Sequence, residues 1–280
     1  MPENTASAAT LPPIAFIGGG NMASAIIGGL VKQGLPPTSV EIVEPFEEAR
    51  ARLAQQFGIS AQSEAGPGIA RCALIVWAVK PQIFAEAAQP VRAMAGKSLH
   101  LSVAAGIPSD SIARWLGTES VVRAMPNTPA LVGKGMTGLF ARAAVAAQQR
   151  ALVEQVLAPT GELLWVDAES ALDAVTAVSG SGPAYVFYFI EAMVEAGIEM
   201  GLTPQQAHQL AVGTFTGASA LAAASAESPA VLRARVTSKG GTTHAAISSM
   251  EAAQVKALFK TAMGAAELRA RELGEEFGRS

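Results

Sequence analysis

Two stretches of this chain have the make-up of anion-holding loops. The first is Ile17-Gly18-Gly19-Gly20-Asn21-Met22, which follows the apolar run "IAFIG" (14–18) and opens the helix-forming run "NMASAIIGGLVKQG" (21–34). The second is "VTSKGGTTHAAI" (236–247), where small hydroxylated residues surround Gly240 and Gly241 and lead into alanines. Backbone N–H groups at a helix start have no intrahelical acceptor and carry the positive end of the helix dipole. Both loops therefore suit an anion. In the first, Gly18, Gly20 and Ala23 form a G-x-G-x-x-A pattern. Gly18 permits a tight turn, Gly20 lets a pyrophosphate approach the backbone, and Ala23 allows close helix–strand packing. One dinucleotide needs one such loop, so the second is expected to hold a different anion.

Further chemistry-bearing residues lie at predicted strand ends. Glu44 closes the strand "VEIVE" (40–44), and no Arg or Lys follows until Arg50. An acid there accepts hydrogen bonds from the adenosine ribose 2′-OH and repels a 2′-phosphate, which favours NADH over NADPH. Lys80 and Pro81 in "AVKPQ" (78–82) and the segment "SVAAGI" (102–107) end two more strands, where such sheets bind ligands. Asn127 sits between two prolines in "MPNTPA" (125–130), a rigid turn suited to holding a polar side chain near a nicotinamide. His100 reads as a core residue within an apolar strand, His208 as a surface residue, and Cys72 as a buried thiol. The histidines, the cysteine and the acids show no metal-ligand spacing, so no metal is expected.

The lysines narrow the reaction. None occurs between Lys134 and Lys239, so the predicted helix 183–201 lacks the lysine that hydroxyacid dehydrogenases of similar architecture carry. Reducing a ketone usually needs a Lys, His or Tyr to exchange the proton. Reduction of a C=N bond fits better, because a protonated imine is already electrophilic and the site must mainly orient and anchor it.

These residues need a scaffold. "ALIVWAV" (73–79), "SLHLSVAA" (98–105), "SVVRAM" (120–125), "MTGLFA" (136–141) and "LLWV" (163–166) continue a series of short strands, with helices over 46–58 and 146–158. Alternation of this kind predicts an α/β domain with a doubly wound, Rossmann-like sheet over residues 13–167. Beyond it strands stop. Helices are expected over 183–201, 203–226 and 251–274, with Thr203, Pro204 and Gln206 in a capping-box pattern. Residues 168–280 are thus expected to form an all-α domain, and residues 1–12 a disordered lead-in. The chain has 280 residues, is 50% hydrophobic with few aromatics, and carries net charge -3. Small-residue helix faces suit tight helix–helix contact, including contact between subunits. No basic stripe points to nucleic acid. No apolar run is long enough to span a membrane, and no secretory signal opens the chain, so the expected address is cytoplasmic.

The segments "FIGGGNMASAIIGGL", "AVKPQ", "SVAAGIP", "VVRAMPNTPA", "DAVTAVSGSGPAY" and "VTSKGGTTHAAI" occur in the order found in pyrroline-5-carboxylate reductases, and the chain resembles that family from about Ile14 to residue 270. The resemblance implies NAD(P)H-dependent reduction of Δ1-pyrroline-5-carboxylate to L-proline, the last step of proline synthesis. It implies a dimer built through the helical domains, often assembled further into a decamer. By the same resemblance the cofactor lies on Ile17, Gly18, Gly19, Gly20, Asn21 and Met22, on Ala78, Val79, Lys80 and Pro81, and on Val103, Ala104 and Ala105, with Asn127 close by. Glu169 matches a substrate-linked acid. Ser238, Gly240, Gly241, Thr242 and Thr243 match the substrate loop, where Thr243 hydrogen-bonds the ring nitrogen. Lys239 departs from the usual Pro, His244 from a more often apolar residue, and "SEAGPG" (63–68) lacks an adenine-side asparagine. Two alternatives stay open: a reductase of another cyclic imine, such as a six-membered ring, and a dinucleotide-binding regulator without turnover.

Overall fold

A computed structural model describes residues 11–278. Of the expected lead-in, residues 1–10 lie outside the described residues. Two compact units emerge from the packing: residues through Gly180 joined by Glu267 onward, and Ser181–Ala266.

The first unit alternates β1 (Ile14–Ile17), α1 (Asn21–Lys32), β2 (Val40–Val43), α2 (Glu47–Phe57), β3 (Leu74–Trp77), α3 (Phe84–Arg92), β4 (Leu99–Ser102), α4 (Ser109–Leu116) and β5 (Val121–Met125). It continues through β6 (Gly135–Ala141), α5 (Ala147–Leu157), β7 (Gly161–Trp165) and α6 (Ala171–Val175), followed by a π-helical turn over Thr176–Gly180. The sheet order is β2-β1-β3-β4-β5-β6-β7. Every residue of β1, β3 and β4 is buried, because helices cover both faces. Side chains alternate across the sheet. Ile14, Phe16, Leu74, Val76, Leu99 and Leu101 therefore meet α1 residues Ile26, Ile27 and Leu30 on one face. Ala15, Ile17, Ile75 and Trp77 meet Phe84, Ile107 and Ile112 on the other. Two-sided burial explains why β1 and β3 read as unbroken apolar runs.

The order from β2 to β5 is the expected doubly wound parallel sheet. One strand departs from it: β6 runs antiparallel to β5. The connection between them is residues 126–134. That is shorter than the roughly dozen residues a parallel crossover requires, so the chain can only turn back. β7 then pairs with β6 in parallel, after a crossover through α5.

The second unit is helical: α7 (Gly182–Glu199), α8 (Pro204–Ala224), α9 (Pro229–Arg235), α10 (Thr242–Ala252) and the start of α11 (Val255–Gly278). The expected capping box opens α8. The Thr203 N–H donates to Gln206 Oε1 at 3.0 Å and the Gln206 N–H to Thr203 Oγ1 at 3.3 Å. A Cβ at Gly197 of α7 would lie 3.0 Å from the Ala207 Cβ of α8, which shows how closely small residues let these helices approach. The helix expected over 251–274 is two helices. The break falls at Gln254, whose φ is 54°, and no glycine or proline marks it. Phe187, Tyr188, Leu210, Leu221 and Leu258 leave this unit with much exposed apolar surface, the property of chains that associate. Among the described residues no helix is long and apolar enough to cross a membrane.

Candidate functional site

Register brings the expected cofactor-loop residues of the first unit to one edge. Ile17 pairs with Val43 and Trp77, and Trp77 with Ser102. The next residues, Gly18, Glu44, Ala78 and Val103, therefore leave the sheet together at the carboxyl ends of β1, β2, β3 and β4. Gly18 takes φ 95° and its N–H donates to the Val43 carbonyl at 2.8 Å. A Cβ there would lie 2.6 Å from the Ala78 carbonyl oxygen, so no larger residue fits. Gly20 precedes α1, which has no side-chain cap, and nothing lies within 4 Å of where its Cβ would project. The amides of Asn21 and Met22 form the first turn. This open, uncapped helix start fits a pyrophosphate, and buried Ala23 packs as expected.

The Glu44 carboxylate is 6% exposed and already held. Its Oε2 accepts from the Gly19 N–H at 2.7 Å and its Oε1 from the Phe46 N–H at 3.0 Å. Arg50 turns to backbone instead, donating to the Glu44 and Pro45 carbonyls. The resident acid thus sits against the glycine-rich turn itself. Lys80 is exposed, and Pro81 begins a short 3-10 turn. Val103 donates its N–H to the Trp77 carbonyl at 3.0 Å, Ala104 its N–H to Ser102 Oγ at 3.3 Å, and Ala105 is exposed. The Asn127 side chain is engaged within the protein. Its Oδ1 accepts from the Met136 N–H at 2.9 Å and its Nδ2 donates to the Ser179 carbonyl at 3.1 Å. It ties β6 to the π-helical turn.

Two polar core residues are as expected. His100 is 1% exposed, and its Nδ1 accepts from Trp77 Nε1 at 3.0 Å. Burial lowers its pKa to about 4. Burial likewise raises the Cys72 thiol to about 11, which makes it inert as a nucleophile.

Glu169 anchors a cluster that sequence reasoning did not assemble. Its Oε1 accepts from the Ser109 N–H and from Arg123 Nη1, each at 2.6 Å, and its Oε2 accepts from Ser109 Oγ at 2.5 Å. Arg142 Nη1 donates to Ser109 Oγ at 3.0 Å and pairs with Asp110, while its Nε donates to Glu119 at 2.7 Å. Nearby, burial raises the pKa of Asp173 against the opposing pull of Arg123. One signal was available: Pro108 occupies the N-cap of α4 and has no side-chain acceptor, which leaves the start of that helix open to an acceptor from elsewhere.

The second candidate loop lies in the second unit. The Gly241 N–H donates to the Ser238 carbonyl at 3.0 Å, and Gly240 takes φ 78°. Gln254 being the only described non-glycine residue with positive φ, Lys239 has negative φ. The turn Ser238–Gly241 is therefore type II, with Lys239 at its second position. Because the Gly241 amide closes that turn, the amides left for an anion are those of Thr242 and Thr243, in the first turn of α10. That helix has no side-chain cap. His244 is exposed on the same turn.

Comparison with known proteins agrees with this fold. Residues 169–273 match the family described as pyrroline-5-carboxylate reductase dimerisation, and residues 13–106 the one described as NADP oxidoreductase, coenzyme F420-dependent. The pyrroline-5-carboxylate reductase of Pseudomonas aeruginosa is 45% identical over 95% of this chain and 98% of its own. The structure of the corresponding Coxiella burnetii protein matches with TM-score 0.88 and 36% identity, over 94% of this chain and 98% of that one. The Plasmodium falciparum pyrroline carboxylate reductase, with NADP bound, matches with TM-score 0.85 and 26% identity, over 95% and 99%. With a phosphate-loop sheet, a helical unit and near-full-length identity at this level, the chain belongs to the pyrroline-5-carboxylate reductase family.

Proposed function

We propose that this protein reduces Δ1-pyrroline-5-carboxylate to L-proline, the last step of proline biosynthesis, with a reduced nicotinamide dinucleotide. The observation that carries the reading is the pair of uncapped helix starts, each entered through a positive-φ glycine. The amides of Gly20, Asn21 and Met22 hold the pyrophosphate, with Ala78–Pro81 and Val103–Ala105 alongside. When bound, the cofactor supplies a hydride. The Thr242 and Thr243 amides hold the substrate carboxylate, beside Ser238, Gly240 and Gly241. The imine carbon accepts the hydride, and the ring nitrogen receives a proton from the Thr243 hydroxyl or from water. Neither group needs a strong acid, which accords with the absence of lysine between Lys134 and Lys239. Glu169, which the resemblance links to the substrate, is already engaged by Ser109 and Arg123, so a substrate contact there would add to these bonds.

In this reading NADH is preferred over NADPH. Glu44 supports it, since a 2′-phosphate would meet a resident carboxylate already seated on the loop. The working unit is a homodimer in the cytoplasm, and sedimentation would show whether dimers assemble further into a decamer. The kinetic test compares wild type with Thr243→Ala on the five-membered imine and on its six-membered homologue. Faster turnover of the smaller ring, lost in the variant, is expected. Equal turnover at saturating substrate in the variant removes Thr243 from the chemistry.

A further inference from the structure

We propose that Glu169 is a positioning residue for the cofactor: it fixes the β4–α4 loop, Val103–Pro108, from outside. The proposal rests on the cofactor reading above for what that loop touches. The loop's first half is secured locally, by the Val103 N–H on the Trp77 carbonyl and the Ala104 N–H on Ser102 Oγ. Its middle is shaped by Gly106, whose φ is 76° and whose Cβ position lies 3.2 Å from Leu273 of α11. Its far end is held by buried Ile107 and by the Pro108 carbonyl, which accepts the Ser111 and Ile112 amides, but these leave the Ser109 amide without a local acceptor. Pro108 at the N-cap offers no side-chain acceptor, and the first free amide of α4 belongs to Ser109.

Glu169 supplies that acceptor from 60 residues away. It takes both the Ser109 amide and the Ser109 hydroxyl, a two-point grip that fixes the residue's orientation as well as its place. Ser109 is 1% exposed, so water is a poor replacement. A carboxylate at a helix N-terminus is favoured by the dipole. Arg123, on neighbouring β5, neutralises it at 2.6 Å and ties the grip to the sheet. Arg142 completes the hydroxyl's bonding. Every polar atom of the Ser109 side chain and amide is thus committed, and both Glu169 oxygens are engaged in the task. The loop carrying Ala104 and Ala105 is suspended between β4 and this clamp. Removing the carboxylate loosens that end and leaves a buried amide and a guanidinium without their partner.

The test measures NADH binding by titration calorimetry, and KM for pyrroline-5-carboxylate with kcat, for wild type, Glu169→Ala and Glu169→Gln. Binding of NADH by wild type tests the cofactor reading itself; the variants test the positioning. Glu169→Ala is expected to weaken NADH about tenfold or more, as displaced positioning groups do, while KM for pyrroline-5-carboxylate stays within about twofold. Glu169→Gln keeps an acceptor for the Ser109 amide and is expected to recover part of the NADH affinity, and it serves alone if the alanine variant does not fold. Unchanged NADH affinity in both variants overturns the proposal. So does a rise in substrate KM equal to or larger than the loss of NADH affinity, which would place Glu169 at the substrate.

Discussion

Acidification should unfasten the first unit through one buried imidazole. His100 lies in the central strand β4 and receives the Trp77 indole N–H on Nδ1, so its neutral form is the one the core accommodates. Its pKa is about 4 in the folded chain and about 6.5 when unfolded. The unfolded chain therefore binds the proton more readily, and stability falls as pH drops from 6.5 towards 4, then levels off. The loss from this one group is about 2 kcal/mol at pH 5 and about 3 kcal/mol at pH 4. Out of a typical total of roughly 5–15 kcal/mol, that is a large share. All three tryptophans, Trp77, Trp115 and Trp165, belong to the first unit, so indole fluorescence during urea unfolding reports on it selectively. Protein concentration must be held fixed, because association shifts the midpoint. His100→Asn keeps an acceptor near the Nδ1 position and does not titrate. The variant starts less stable, from lost packing, but its loss between pH 7 and pH 5 should be smaller than wild type's by about 2 kcal/mol. With three histidines in the chain, imidazole NMR can follow His100 directly. A His100 midpoint at or above pH 6, or equal pH-dependence in the variant, refutes the reasoning.

Other perturbations read other parts of the structure. Gly18→Ala places a methyl 2.6 Å from the Ala78 carbonyl at φ 95°. It should destabilise by about 2 kcal/mol or more and abolish NADH binding, so an unchanged melting temperature would show that the loop is softer than described. Lys239→Pro fills the second position of a type II turn with the residue that turn favours. A gain of about 0.5–1 kcal/mol, visible as a higher melting temperature, is expected, and a loss would mean that Lys239 does not adopt the required φ. Thr203→Ala removes the reciprocal cap of α8 and should destabilise by about 1 kcal/mol; no change in thermal unfolding would show that tertiary packing alone holds that helix start.

Strands β1 and β3 were legible because two-sided burial writes itself as short apolar runs, as in "ALIVWAV" for β3. The glycine-rich turn after β1 was legible for a similar reason: Gly18 answers to a positive φ and a backbone approach, constraints local enough for sequence to carry. Helix α3 was harder to see, having Pro90 inside it, and α4 is a single short stretch. The reversal at β6 depends on the length of a connection rather than on any motif. The Glu169 clamp joins positions 109, 123, 142 and 169, and such contacts leave no spacing to read. Asn127 was read correctly as a polar side chain in a rigid turn, but its partners, Met136 and Ser179, come from tertiary structure. The second loop could be recognised by its glycines and hydroxyls. That its Gly241 amide is consumed in closing the turn required coordinates.

The most direct test of the account follows the loss of nicotinamide absorbance when purified protein meets pyrroline-5-carboxylate with NADH or NADPH, with proline assayed as product. Stoichiometric formation of proline and a higher kcat/KM with NADH are expected. NADH binding without oxidation or proline formation would contradict it, and a strong preference for NADPH would contradict the role given to Glu44.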